Sequence, residues 1–290
     1  MNRRPLQLAV FQSVPVLRDP VRNAASMVEA AAATDAHLLV TPELSLTGYD
    51  VGDAAAELAI EPSEAVALLR PALSRGIDVV VGMIERSATG VPYNTAAHLR
   101  EDGVVFRHRK VYLPTYGMFD EGRFFGRGDR VDAYPAGHGW RAGLLVCEDF
   151  WHPALSYLLA VRGIDVLVVQ AAAPGRGVWA GAEAGGRFAS ADTWERIARV
   201  TAQLYGIYVV LANRAGVEGG VTFAGGSLIV APTGEVVARA PDAGEAVIAA
   251  WLDPAEVERA RRPYAHARDE DPHFTQRELA RILEEPSGRR

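Results

Sequence analysis

One cysteine, Cys147, stands among 290 residues, so no intrachain disulfide can form. That scarcity predicts a reducing, cytoplasmic setting. Basic residues are also short: 30 Lys and Arg against 36 Asp and Glu leave a net charge of -6. No dense basic stripe offsets this, which argues against a nucleic-acid partner. No apolar run reaches the roughly 18 residues a bilayer span needs, so no membrane partner is expected. Arg3 and Arg4 before the apolar stretch 6–11 resemble the start of a signal peptide. The stretch is too short and lacks a small-residue cleavage site, and it is read as the first strand. The seven histidines show no His-x-His or His-x-x-x-His spacing, and there is no second thiol. Neither a zinc site nor any other cofactor is expected.

What is present is enough for a core. Hydrophobic residues make up 49% and charged residues 23%, a globular balance, and the chain is read as a single domain over 1–290. Short β-rich runs alternate with helical ones. Strands are predicted at 6–12, 37–41, 77–84, 142–146, 166–170 and 208–212. Residues 94–99 and 104–108 pair across the turn Glu101-Asp102-Gly103, and 227–230 and 236–240 flank Pro232-Thr233-Gly234. Helices are predicted at 20–33, 62–75, 153–161 and 194–205. The first is opened by Asp19 as cap and Pro20 at the first helical position. Such alternation implies α/β layers. The glycine-rich stretch 175–186 has no Gly-Lys-Ser/Thr ending and is read as a loop rather than a phosphate cradle.

Three segments carry chemistry. In Val40-Thr41-Pro42-Glu43-Leu44, a buried strand runs into a carboxylate. In Phe106-Arg107-His108-Arg109-Lys110-Val111, a strand ends in a cation. In Leu144-Leu145-Val146-Cys147-Glu148-Asp149, the only thiol closes an apolar strand beside two acids. Each has a bland reading: a solvated glutamate, one more surface lysine, and a small buried hydrophobe. Against this, ligands in α/β sheets bind at the carboxyl ends of strands. Acids close to Cys147 would raise its pKa, so a reactive thiol there needs a nearby cation or base.

Together the three segments resemble the Glu–Lys–Cys triad of the carbon–nitrogen hydrolase (nitrilase) superfamily, in the family order. Glu121 in Asp120-Glu121-Gly122-Arg123-Phe124-Phe125 resembles that family's second glutamate. The stretch from Phe223 to Glu235 resembles its late Gly-x-Ser strand and Pro-x-Gly turn, and Asn213-Arg214 also fits. The nearest likeness is to the glutaminase domain of glutamine-dependent NAD synthetases, through 42–49, 113–121 and Cys147-Glu148-Asp149-Phe150-Trp151. Two departures stand out. With the chain ending at Arg290, an ATP-using synthetase domain is expected to be missing. Where that family has Asn-Ala-Ser-Pro, this chain has Ala171-Ala172-Ala173-Pro174, which weakens the case for glutamine.

The resemblance implies a four-layer αββα sandwich and an amidase working through a cysteine thioester. It implies Cys147 as nucleophile, Glu43 as general base, Lys110 as oxyanion donor and Glu121 as orienter of the substrate amide. The Glu148 backbone N–H is the implied second donor. Tyr49, Tyr116, Glu148 and Ala173 are implied as the substrate wall. A small-molecule amide and a homo-oligomer, dimer or larger, complete the expectation. Several alternatives remain: an ammonia-supplying glutaminase subunit for a separate synthetase, an N-carbamoyl amidohydrolase, and an inactive binding protein. A Cys–His pair using His108 or His152 is a competing mechanism, although His152 would need a chain reversal to reach the thiol.

Overall fold

The structure is a computed structural model that describes residues 3–177, 188–263 and 266–284. Among these, two six-stranded sheets face each other. The strands in chain order are β1 Leu6–Gln12, β2 Leu38–Val40, β3 Asp78–Arg86, β4 Pro92–Arg100, β5 Gly103–Arg109, β6 Ala133–Gly137 and β7 Trp140–Val146. They continue as β8 Val166–Ala171, β9 Tyr208–Asn213, β10 Ala215–Glu218, β11 Val221–Ala224, β12 Leu228–Val230, β13 Val236–Arg239 and β14 Ala246–Leu252. One sheet runs β14-β1-β2-β3-β4-β5 and the other β13-β12-β9-β8-β7-β6, while β10 and β11 form a separate hairpin. In each sheet three central neighbours are parallel, β1-β2-β3 and β7-β8-β9.

Alternation along the strands builds the layers. Successive side chains point to opposite faces of a strand. Leu8 and Val10 of β1 join Val40 and Val80 in the core shared with Leu144, Val168 and Val210 of the second sheet. Ala9 and Phe11, one position along, pack outward with Met27 and Leu69. Those two residues belong to the helices Pro20–Ala32 and Pro62–Leu73. The second sheet is covered by the helices Pro153–Val161 and Ala189–Tyr205 through Leu159, Ala198 and Ala202. A Cβ on Gly143 of β7 would lie 2.8 Å from Leu159. Helix, sheet, sheet and helix make the four-layer αββα sandwich expected from the resemblance.

Local chemistry explains the boundaries. Asp19 caps the first helix by accepting from the Arg22 N–H at 3.0 Å, with Pro20 following it. The strand Leu6–Gln12 and the helix Pro153–Val161 have their expected limits. In the β4–β5 hairpin, Gly103 belongs to β5 and the register shifts at His98/Leu99, so the turn is tighter than expected. β6, β10, β11 and β14 were not foreseen. Half-buried alternation in β14, and glycine or proline in β6 and β10, leave weak periodic signals. The 175–186 loop is described only to Gly177, and Trp179 lies outside the described residues. No helix among the described residues is long and apolar enough to cross a membrane.

Candidate active site

The three strand-end residues converge at one end of the sandwich. Glu43 lies three residues past β2, Lys110 directly past β5 and Cys147 directly past β7. Two backbone turns aim them. Leu44, just after Glu43, has φ +47, and Cys147 itself has φ +50. Left-handed backbone at a residue with a Cβ costs about 1–2 kcal/mol, so the surrounding contacts must hold both turns. The Glu43 turn packs on bare backbone. A Cβ at Gly82 of β3 would lie 2.2 Å from the Pro42 carbonyl and 2.5 Å from the Leu44 nitrogen. An isolated glycine within a strand marks such a close approach.

Lys110 is wholly buried, with Glu43 1% and Cys147 6% exposed. Its Nζ donates to Glu43 Oε1 and to Glu121 Oε1, both at 2.7 Å. Glu43 Oε1 also accepts from Asn94 Nδ2 at 2.8 Å, and Glu43 Oε2 from the Ala172 N–H at 2.9 Å. Glu121 opens the short helix Glu121–Phe124, and its Oε1 also takes the Tyr49 hydroxyl. Glu121 Oε2 and Asn94 Oδ1 are buried with no hydrogen-bond partner. An unfilled buried acceptor costs about 1–3 kcal/mol, so these two oxygens are the natural receivers of a bound N–H group.

Charge and burial set the protonation. Burial pushes the Cys147 thiol well above its ordinary pKa and Glu43 pushes it further, while Lys110 and the Ala172 N–H pull it down. The resting sulfur is therefore a protonated thiol that needs a base. Burial alone would lower Lys110, but Glu121 and Glu43 hold it well above its usual value, so it remains a cation. Burial raises Glu121 to about 7 against the pull of Lys110, with Glu43 adding to the rise. The acids acting on the thiol are thus Glu43, from the turn after β2, and Glu121, from the short helix it opens, where proximity in sequence pointed to Glu148 and Asp149. The Asp149 carboxylate is occupied elsewhere, by backbone N–H groups and His108.

The residues expected to form the substrate wall have their own partners. Burial and Glu121 raise Tyr49 well above its ordinary value, and its ring meets Phe119 and Phe223 at 6.1 Å each. The Tyr116 hydroxyl donates to Glu148 Oε2 at 2.7 Å; burial and that carboxylate push Tyr116 up to about 12. Ala173 presents a buried methyl group, and its N–H donates to Asn213 Oδ1 at 2.9 Å. His152 lies 3.7 Å from Glu148 Oε1 and stacks on Tyr112. Sequence reasoning missed Asn94, the Ala172 N–H and Glu218. Glu218 Oε1 accepts the N–H groups of Tyr49 and Asp50 at 2.8 and 2.7 Å and so holds the Tyr49 loop. An asparagine within a strand that is buried on both faces was the available signal for Asn94. Glu218 acts on backbone and leaves no such trace.

An αββα sandwich with a thiol, a lysine and carboxylates gathered at its strand ends has the architecture of a hydrolase that works through cysteine. The chain belongs to the carbon–nitrogen hydrolase family, whose model matches residues 8–262. A glutamine-dependent NAD(+) synthetase from Acinetobacter baylyi is 27% identical over 244 residues, 82% of this chain and 42% of its own. The chain thus spans about two fifths of such synthetases. An (R)-stereoselective amidase from Pseudomonas sp. is 31% identical over 246 residues, 83% of this chain and 81% of its own. A solved variant of the amidase from Nesterenkonia sp. AN1 superposes with a TM-score of 0.77 at 25% identity, covering 94% of this chain and 96% of that one. Its active-site cysteine carries the acetamide moiety of fluoroacetamide.

Proposed function

We propose that this chain is an amidase that hydrolyses a small carboxamide through a thioester on Cys147 and releases ammonia. The supporting observation is Lys110 Nζ bridging Glu43 and Glu121 at 2.7 Å beside the thiol, with Glu121 Oε2 left unfilled. In this reading Glu43 takes the thiol proton as sulfur attacks the amide carbon. Lys110 and the Glu148 N–H donate to the oxyanion, each worth about 100- to 1000-fold in rate. Glu43 returns the proton to nitrogen as the C–N bond breaks, and ammonia leaves. Water then attacks the thioester with Glu43 again as base, releasing the acid and the thiol. Glu121 Oε2 and Asn94 Oδ1 receive substrate N–H groups, while Tyr49, Tyr116, Glu148 and Ala173 line the acyl side. Intact mass measured after mixing the protein with an amide library tests this. An acyl adduct on Cys147 is expected, and a chain that never gains mass and releases no ammonia refutes the reading.

The wall at Ala173 bears on the acyl group. A methyl group there offers no hydrogen bond to a polar substrate, and a site loses discrimination when such a partner is absent. L-Glutamine is therefore expected to be a poorer substrate than simple aliphatic amides, and Ala173→Ser to narrow the gap. The comparison is kcat/KM for both substrates in both proteins. Glutamine turnover rivalling the best amide in wild type would count against it.

A second reading, an ammonia-supplying subunit for a separate synthetase, draws on the likeness to the NAD synthetases. Full activity of the isolated chain on free amides would weigh against it. We also propose a cytoplasmic homo-oligomer. The outer helices leave Leu158, Val161, Val200 and Leu204 exposed, apolar groups of the kind that subunit contacts cover. Light scattering should give at least twice the chain mass, and Val200→Asp should reduce it. A monomeric wild type at micromolar concentration would end the idea.

A further inference from the structure

Asp149 stands two residues after Cys147, wholly buried, on the 3-10 turn Cys147–Trp151. Its Oδ1 accepts the N–H groups of Val111 and Tyr112 at 3.0 and 2.9 Å. Its Oδ2 accepts the Val146 N–H at 3.2 Å and lies 2.8 Å from His108 Nε2. A carboxylate only accepts, so His108 presents its Nε2–H. All four partners flank the cluster. Val111 and Tyr112 follow Lys110 directly, Val146 precedes Cys147, and His108 lies two positions before Lys110. The Lys110 N–H donates to the Asn94 carbonyl at 2.8 Å, continuing the pairing one residue past β5, so the strand period of two turns His108 and Lys110 toward the same face.

β5 is the edge strand of the first sheet, and β7 lies in the second. No hydrogen-bonded ladder joins these two sheets, so ladder pairing cannot set the spacing between Lys110 and Cys147. Asp149 makes that connection with four bonds from a single side chain. Asparagine has the same shape but only one accepting oxygen. Its NH2 would face the N–H groups of Val111 and Tyr112 in one orientation, and in the other the Val146 N–H, with His108 forced to move its proton to Nδ1.

We propose that Asp149, oriented by His108, is a positioning residue that fixes the separation between Lys110 and the Cys147 sulfur. The inference rests on the triad reading above. Lys110 is the cation that pulls the thiol down, so its displacement leaves the thiol harder to ionise. A misplacement of about 1 Å at a reacting centre costs on the order of 100-fold.

Alkylation by iodoacetamide tests this without knowledge of the substrate, because Cys147 is the sole cysteine and each adduct is read by intact mass. Rates are measured against pH in wild type, Asp149→Asn, His108→Leu and His108→Gln, with thermal midpoints alongside. Asp149→Asn should alkylate at least about 10-fold more slowly near neutral pH, with its profile rising at higher pH. His108→Leu should shift the same way by less. His108→Gln, whose amide N–H reaches the same place as Nε2–H, should restore the profile. A merely structural role would lower the midpoints and leave the profile unmoved. Should Asp149→Asn fail to fold, the His108 pair decides. A wild-type profile in His108→Leu overturns the inference. Glu43→Gln separates the two levels of argument. If it also leaves the profile unchanged, the triad reading fails. If it shifts the profile while the folded Asp149 and His108 variants do not, this inference alone fails.

Discussion

Purified Cys147→Ala should lose amide hydrolysis by about 10,000-fold or more while keeping its fold and melting within a few degrees of wild type. The loss follows from removing the nucleophile, which no neighbouring group replaces. The variant retains the Lys110, Glu43 and Glu121 bonds, none of which uses the sulfur. Residues acting as a unit typically lose most of their rate when one is removed. The fold should survive because alanine tolerates the left-handed backbone at this position about as well as cysteine does. A single sulfur removed from a buried site costs about 1 kcal/mol, within the range of ordinary substitutions. Steady-state ammonia release and a thermal melt check both halves. Near-normal turnover would refute the mechanism, and loss of the fold would mean that Cys147 is chiefly structural.

Glu43→Gln should slow acylation by about 1000-fold with substrate binding partly kept. Burial and Glu43 itself hold the Cys147 thiol protonated, so attack requires a proton acceptor in reach. Glutamine keeps the shape and one oxygen. That oxygen can still take Lys110 Nζ and Asn94 Nδ2, but the amide NH2 then faces the Ala172 N–H. This donor–donor contact costs about 1–3 kcal/mol of stability and leaves Lys110 balanced by Glu121 alone. Single-turnover acylation followed by intact mass measures the effect directly. Acylation at the wild-type rate would remove Glu43 from the role of base and return attention to a histidine. His108 is a poor candidate for that role, since its Nε2 is engaged by Asp149.

The sandwich was legible because both sheets write their periods into the chain. Continuous apolar runs such as 142–146 mark strands covered on both faces, and Asp19-Pro20 marks a helix start. Glu43 and Cys147 were legible for the same reason, since each is the first strongly polar or reactive group after such a run, whereas Lys110, behind Arg107, His108 and Arg109, was legible through the family likeness. Asn94 was not, because its role depends on which carboxylate the turn after β2 brings to it, two strands away in the same sheet. Asp149 carried the opposite risk. Next to the thiol in sequence, it invited a direct electrostatic role, and the turn at Cys147 instead points it toward Val111, Tyr112 and His108.

The sequence by itself determined the layered α/β architecture and the family likeness. It also determined which three strand ends carry a carboxylate, an ammonium and a thiol, for these depend on local periodicity and residue type. Only the tertiary structure decided how the three meet. The distance of 2.7 Å from Lys110 to both Glu43 and Glu121 joins groups 67 and 11 positions away along the chain. Burial, which sets the protonation of Cys147, Lys110 and Glu121, is likewise a property of the packed sheets and has no counterpart in the local sequence. The left-handed turns at Leu44 and Cys147 belong there too, because local preference opposes them and only the surrounding contacts hold them.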